Sequence, residues 1–296
     1  MKSAFIGIIG RPNVGKSTLL NAILGEKVAI ATDKPQTTRN RIRGIYTRLE
    51  GTDRDCQLVF IDTPGIHNPR NKLGSYMTET ALNTIREVDA VLFLVDGPLD
   101  GAGNRPIVEL LAETETPRLL VINKIDKLEP EEYKTIYEEY RATGVFEDIF
   151  GTCARTGRNV PALLERVEAL AAEGPMYFPE DMVTDHPERF LVGELIREKA
   201  LLYLQEEVPH GVAVEIESYQ EEERLTRIGA VIYCEKKSHK GIIIGKEGKK
   251  LKGIGKSARL EIEGLLGTKV FLELFVKVRE NWRNSEAAMA SLGYKE

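Results

Sequence analysis

Three short stretches in the N-terminal half bring together residue types that can hold a nucleoside phosphate. The first is GRPNVGKS, residues 10 to 17, which completes the spacing G-x-x-x-x-G-K-[ST] with Gly10, Gly15, Lys16 and Ser17. Glycines let backbone N–H groups wrap phosphate oxygens, and the helix that follows offers its positive end. Asn13 and Val14 within the loop, and Thr18 just after it, belong to the same candidate set. Lys16 is placed to meet the β- and γ-phosphates, and Ser17 to ligate magnesium. The second stretch, DTPG, runs from Asp62 to Gly65. Its acid can hold the magnesium, directly or through water, and the Gly65 N–H can sense the γ-phosphate. Alone it would also read as a turn. The third, NKID, comprises Asn123, Lys124 and Asp126 around Ile125. A carboxylate at Asp126 can accept from the N1–H and 2-amino group of guanine. Adenine offers neither donor, so the expected nucleotide is GTP rather than ATP.

A second glycine-rich stretch needs another explanation. HKGIIIGKEGKKLKGIGKSAR, residues 239 to 259, ends in GIGKS, but the residue five before Gly255 is Lys250. It is therefore not a second nucleotide loop. The chain carries a net −5, yet residues 235 to 259 alone carry +7, leaving −12 for the remainder. A basic block on an acidic chain is a local electrostatic footprint; the plain alternative is a solvated charged face. The glycines favour the footprint. Gly245-Lys246-Glu247-Gly248 follows Ile242 to Ile244 and precedes Lys249, Lys250 and Lys252. A G-x-x-G loop between two short helices clamps single-stranded RNA, with glycines admitting the backbone close to phosphates and apolar side chains flanking the bases. The candidate RNA contacts are Ile244, Gly245, Lys246, Glu247, Gly248, Lys249, Lys250 and Lys252.

These residues need elements to position them. AFIGII, CQLVFI, AVLFLV and RLLVIN read as buried strands, apolar almost throughout, alternating with helical patterns such as KSTLLNAILG. NRIRGIYTRLEG reads as an edge strand ending in a turn at residues 50 to 53. The result is a doubly wound α/β domain over residues 1–173. Residues 174–189 hold three prolines and read as a linker. Residues 190–296 follow the order α-β-β-α-α-β: a helix with Leu191, Leu195 and Leu202 on one face, two strands, and the basic stretch. A helix burying Leu251, Ile254, Ala258, Ile262 and Leu265 and a last strand with Val270, Leu272, Leu274 and Val276 on one face complete it. No apolar run reaches the ~18 residues that span a bilayer. The first residues feed into the glycine loop rather than a cleavage site, so the protein is expected inside the cell. Three scattered cysteines and four histidines give no disulfide or zinc pattern.

GRPNVGKS, DTPG and NKID in this order resemble the translation-factor-related class of GTPases. KPQTTRNRIRG, residues 34 to 44, resembles the first switch of one family in it, Era. The C-terminal G-x-x-G loop, its element order and the terminal VKVRENWR extend that resemblance over nearly the whole chain. It implies a P-loop GTPase domain with a mostly parallel, doubly wound sheet, followed by a smaller α+β type II KH domain. It implies that Thr38, or alternatively Thr37, joins Ser17 and Asp62 on magnesium when GTP is bound. Lys16, Thr38, Asp62 and Gly65 would serve catalysis. The family usually has Ser-Ala in its last base-side loop; here TCARTG puts Cys153 for the serine and keeps Ala154, whose N–H would reach the guanine oxygen. The cysteine leaves only a minor side-chain contact in question. Where Ras-like enzymes have a water-orienting glutamine stands Ile66, so intrinsic hydrolysis is expected to be slow. Asn13 would help hold a potassium ion (K+) beside the phosphates or, alternatively, only stabilise the loop. The implied role is a GTP-hydrolysing switch that binds the 3′ end of 16S ribosomal RNA and assists small-subunit maturation. It would be a cytoplasmic monomer whose association with the cell membrane, if present, is peripheral. Two competing readings are a GTPase aimed at a protein or membrane through the basic block, and an RNA-binding module whose nucleotide domain is structural. An aromatic-free basic helix argues against a membrane target, and the intact Lys16, Ser17, Asp62 and Asp126 argue against a structural domain.

Asp126→Asn is expected to lower GTP affinity by roughly a hundredfold, the worth of charge-assisted hydrogen bonds to the base, and to admit xanthine nucleotides. Competition between GTP and XTP measures it, and unchanged selectivity would refute the assignment. If Asn13 holds potassium, hydrolysis runs faster in potassium than in sodium; equal rates would exclude that ion.

Overall fold

The structure, a computed structural model, describes residues 1 to 294 apart from positions 53 and 102. The expected turn at residues 50 to 53 therefore lies partly outside the described residues. By its internal contacts the chain divides into two compact units. The first comprises Met1–Ala31, Thr38–Asn68 and Met77–Asp185; the second comprises Thr32–Thr37, Pro69–Tyr76 and His186–Glu296.

The first unit is a seven-stranded sheet with helices around it. Its elements are β1 (Lys2–Gly10), α1 (Lys16–Leu24), β2 (Ile42–Arg48), β3 (Cys56–Asp62), α2 (Lys72–Glu87), whose first turn belongs to the second unit, and β4 (Ala90–Val95). There follow α3 (Arg105–Ala112), β5 (Arg118–Ile122), α4 (Pro130–Arg141), β6 (Asp148–Gly151), α5 (Val160–Leu170) and the two-residue β7 (Ala172–Glu173). The order is β2-β3-β1-β4-β5-β6, with β7 paired to β1. All pairs are parallel except β2 with β3 and β7 with β1. Every residue of β3 and of β4 is buried. That is why these strands are continuous apolar runs: helices cover both faces of a parallel sheet. β2 takes the edge and carries the mixed polarity seen in its sequence.

The proline-bearing stretch after β7 is pinned by one side chain that sequence reasoning passed over. Gln57, fully buried within β3, accepts from the N–H groups of Tyr177 and Phe178 at 2.7 and 2.9 Å. Its amide donates to Phe178 O at 2.8 Å and Thr47 Oγ1 at 3.0 Å. All four of its hydrogen-bonding positions are used, as burial of an amide requires. Ile45 N to Val183 O at 2.8 Å and Thr184 Oγ1 to Arg43 O at 2.7 Å extend the seam along β2.

The second unit contains α6 (Glu188–Tyr203), β8 (Ala213–Glu222), β9 (Leu225–Cys234), α7 (Lys237–Ile244), α8 (Lys249–Leu266), β10 (Lys269–Val278) and α9 (Glu286–Ser291). Its sheet runs β10-β9-β8, with β10 parallel and β8 antiparallel to β9. Ile228, Ala230 and Ile232 of β9 and Val270 and Val276 of β10, all at even-numbered positions, are buried. This is the side on which α8 packs against β10. Two expectations need correction. Leu202 is 51% and Leu265 39% exposed. The buried face of α6 is instead Val192, Leu195, Ile196 and Ala200, and that of α8 is Ile254, Ala258 and Ile262. Spacing alone overextends the apolar stripe: at the end of α6 it is Leu201 and Leu204, not Leu202, that are buried. Trp282, fully buried, donates Nε1–H to Gly211 O at 2.9 Å and stacks on Tyr294 at 5.7 Å, anchoring the segment after β10.

Candidate nucleotide site and nucleic-acid interface

At the C-terminal edge of β1 the phosphate loop turns into α1. Gly15 has φ +104°, and a Cβ there would lie 2.2 Å from Asn123 Nδ2. Only glycine admits that approach. The Asn123 amide uses it to donate to Val14 O at 2.8 Å, while its oxygen accepts from Ala154 N at 3.0 Å and Thr152 Oγ1 at 3.2 Å. Lys124 donates to Asn13 O and Asp96 Oδ2, each at 2.6 Å. Asn123 and Lys124 thus act as ties between loops, and Thr152 and Asp96 are partners that the motif did not reveal.

Lys16 bends over its own loop, donating to Gly10 O at 3.2 Å and Arg11 O at 2.8 Å. Burial pulls its ammonium down to about 8, against the charges of Asp62 and Asp96. Asp62 ends β3 fully buried, and burial pushes its carboxyl up to about 6, against Lys16 and the Ser17 and Thr38 hydroxyls. Its Oδ2 accepts from Ser17 Oγ at 2.6 Å and Thr38 Oγ1 at 3.4 Å, and the two hydroxyls are 2.8 Å apart. Its Oδ1 is buried with no hydrogen-bond partner among the described residues. Two hydroxyl oxygens and an open carboxylate oxygen form a hard donor set that fits magnesium. The two threonines face different ways. Thr38 faces Asp62, whereas the Thr37 hydroxyl is engaged with Lys34 O at 2.7 Å and Thr32 Oγ1 at 2.6 Å. Thr18 continues α1 beside Ser17. Gly65 follows Asp62 by three residues; Ile66 donates its N–H to Gly10 O at 3.1 Å and packs on the core.

At the base-recognition end Asp126 Oδ2 pairs with Arg155 Nη2 at 3.0 Å. The carboxyl is held below the usual range chiefly by a hydrogen bond from the Cys153 thiol, with its own backbone N–H, Arg155 and Lys127 adding to it. Cys153 itself is buried. Arg155, directly after Ala154, was not singled out by the motif.

In the second unit, α7 leads into Gly245-Lys246-Glu247-Gly248 and α8 leaves it. Gly245 has φ +70°, and a Cβ there would meet Lys250 Cβ at 2.7 Å. Lys246, Lys249 and Lys252 are exposed; Ile244 and Lys250 are half-buried. Glu247 turns its carboxylate to Lys249 at 3.0 Å, so only its backbone is available to an anion. Beside the loop an open groove of about 380 Å³ runs between α8 and β10. Lys252, Lys256 and Arg259 line it on successive turns of α8, and Leu251, Leu272 and Leu274 supply its apolar wall. Of these leucines, the sequence reading expected Leu251 to be buried and only placed Leu272 and Leu274 on one face of their strand. The side chains at the rim of a small two-layer unit cannot all be enclosed.

The chain was compared with known proteins. The 50S ribosome-binding GTPase family matches residues 5–124 and the KH domain family matches residues 207–283. GTPase Era of Alkaliphilus oremlandii (strain OhILAs) is 57% identical over 99% of each chain. GTPase Era of Clostridioides difficile (strain 630) is 52% identical over 100% of this chain and 99% of its own. Among solved structures, Era in complex with MgGDPNP and nucleotides 1506–1542 of 16S ribosomal RNA is 38% identical over the whole of both chains, with a TM-score of 0.94. A variant of Aquifex aeolicus Era bound to GDP and AlF4− is 37% identical over the same span, also at 0.94. With a guanine-type nucleotide site in one unit, a G-x-x-G loop in the other and full-length relatives above half identity, the chain belongs to the GTPase Era family.

Proposed function

We propose that this chain hydrolyses GTP, binds the 3′ end of 16S ribosomal RNA through its KH domain, and assists maturation of the small ribosomal subunit. The observation that carries the reading is the pairing of a base-selecting carboxylate, Asp126, with a basic G-x-x-G groove on one chain. The likeness over full length to an Era structure holding both MgGDPNP and 16S ribosomal RNA supports it.

Lys16 would release its own loop carbonyls and donate to β- and γ-phosphate oxygens. Ser17 and Thr38 would turn their hydroxyls, and Asp62 its open Oδ1, toward magnesium. That ion, when bound, neutralises charge on the bridging oxygens. The N–H of Gly65 would meet the γ-phosphate. Ile66, packed on the core, offers no polar group to orient the attacking water. Slow turnover follows, unless RNA or another partner completes the site. GTP can gate RNA binding only if it binds the RNA-competent state more tightly. The segments able to report the γ-phosphate are the switches, residues 31 to 40 and 65 to 75.

Two outcomes test the assignments. In the nucleotide-free protein Asp62, raised by burial, carries its proton below about 6, and Lys16, lowered by burial, loses its proton above about 8. Both are charged only between those values, so fluorescent guanine nucleotide should bind most tightly with magnesium in that window and weaken on either side. Flat affinity from 5 to 9 would refute the pairing. Gly248→Asp places a carboxylate in the G-x-x-G loop at φ +74°. It should lower affinity for a single strand matching the 16S 3′ end at least tenfold, leaving GTP affinity within about twofold. Equal loss of both would deny two separable sites.

A further inference from the structure

β10 has two faces. Its even residues Leu272 and Leu274 form the wall of the groove against α8. Its odd residues Phe271 and Phe275 stand on the opposite side of the sheet, 46% and 54% exposed. Arg227, the register partner of Phe271, holds its guanidinium 5.4 Å from that ring's centroid. Between the two rings on β10 stands the exposed Glu273, with Gly229 opposite it in β9. Two exposed rings on one strand, with an arginine over one of them, are a surface on which unpaired bases stack.

Charge sets the manner of binding. Arg227 is paired with Glu222 at 2.8 Å and Lys277 with Glu217 at 2.6 Å. With Glu273 exposed between the rings as well, this face does not gather phosphate, in contrast to the lysine-lined groove. Topology supplies the occupant. β10 is the free edge of its sheet, so a strand lying in the groove can pass directly around that edge to the odd face. We infer that RNA longer than the groove continues around β10 and stacks bases on Phe271 and Phe275, held there by ring contact rather than by phosphate charge. The inference rests on the RNA-binding reading of the groove.

The test uses the full chain with a GTP analogue and fluorescence anisotropy. The probes are a strand of about four nucleotides that fills the groove and strands of roughly ten nucleotides extended at either end. Phe271→Ala and Phe275→Ala should each weaken the extended strand about tenfold and leave the short strand unchanged. The slope of affinity against salt should stay the same, because no phosphate contact is lost. Phe271→Tyr and Phe275→Tyr should restore binding, whereas leucine at either position should not. Equal binding of short and extended strands by the unaltered protein would overturn the inference. So would alanine variants that weaken both strands alike, or that lose a purified small subunit while keeping both RNAs, which would assign the face to a protein. If the short strand does not bind at all, the reading of the groove fails first and this inference falls with it.

Discussion

The side-chain amide of Asn123 joins the phosphate loop through Val14 O and the TCARTG loop through Ala154 N and Thr152 Oγ1. These loops follow β1, β5 and β6, so a nucleotide site assembled from the ends of separate parallel strands is held in register by one residue. The arrangement dictates other choices. Gly15 can be nothing larger because the amide lies where its side chain would be. The same amide oxygen holds the Ala154 N–H, which must be shared or released to reach a guanine oxygen.

A second constraint is the burial of opposite charges around the phosphate position. Lys16 and Asp62 are each disfavoured as ions by desolvation and favoured by the other's charge. In this protein the ammonium is satisfied by loop carbonyls and one carboxylate oxygen by two hydroxyls, leaving Oδ1 open. Buried charges kept partly unsatisfied do not help folding. They suit a site whose missing partners are a phosphate chain and a divalent ion.

The second unit solves a different problem with glycine and lysine. Phosphate approach needs a bare backbone, which Gly245 and Gly248 give, and a groove rim that cannot be enclosed leaves Leu251, Leu272 and Leu274 partly open. On the outer face of the three-stranded sheet Phe271 and Phe275 are exposed. Its alternation makes β10 serve two surfaces, an apolar groove wall and an aromatic outer face.

Much of this was legible in the order of residues. GRPNVGKS, NKID and GKEG each require a local backbone shape that few other sequences adopt, and contiguous spacing carries that shape directly. Strands buried on both sides announced themselves as apolar runs. What spacing could not carry was contact between distant segments. The binding of the Pro-rich stretch by Gln57, the Thr38 hydroxyl beside Asp62, and Arg155 beside Asp126 all depend on which loops meet in space. Nor could periodicity say which members of an apolar stripe stay uncovered: Leu202 and Leu265 are exposed and Leu251 faces a groove. Sequence determined the chemistry of each loop because backbone geometry is local. Tertiary structure decided the partners because hydrogen bonds and burial are settled between segments far apart in the chain.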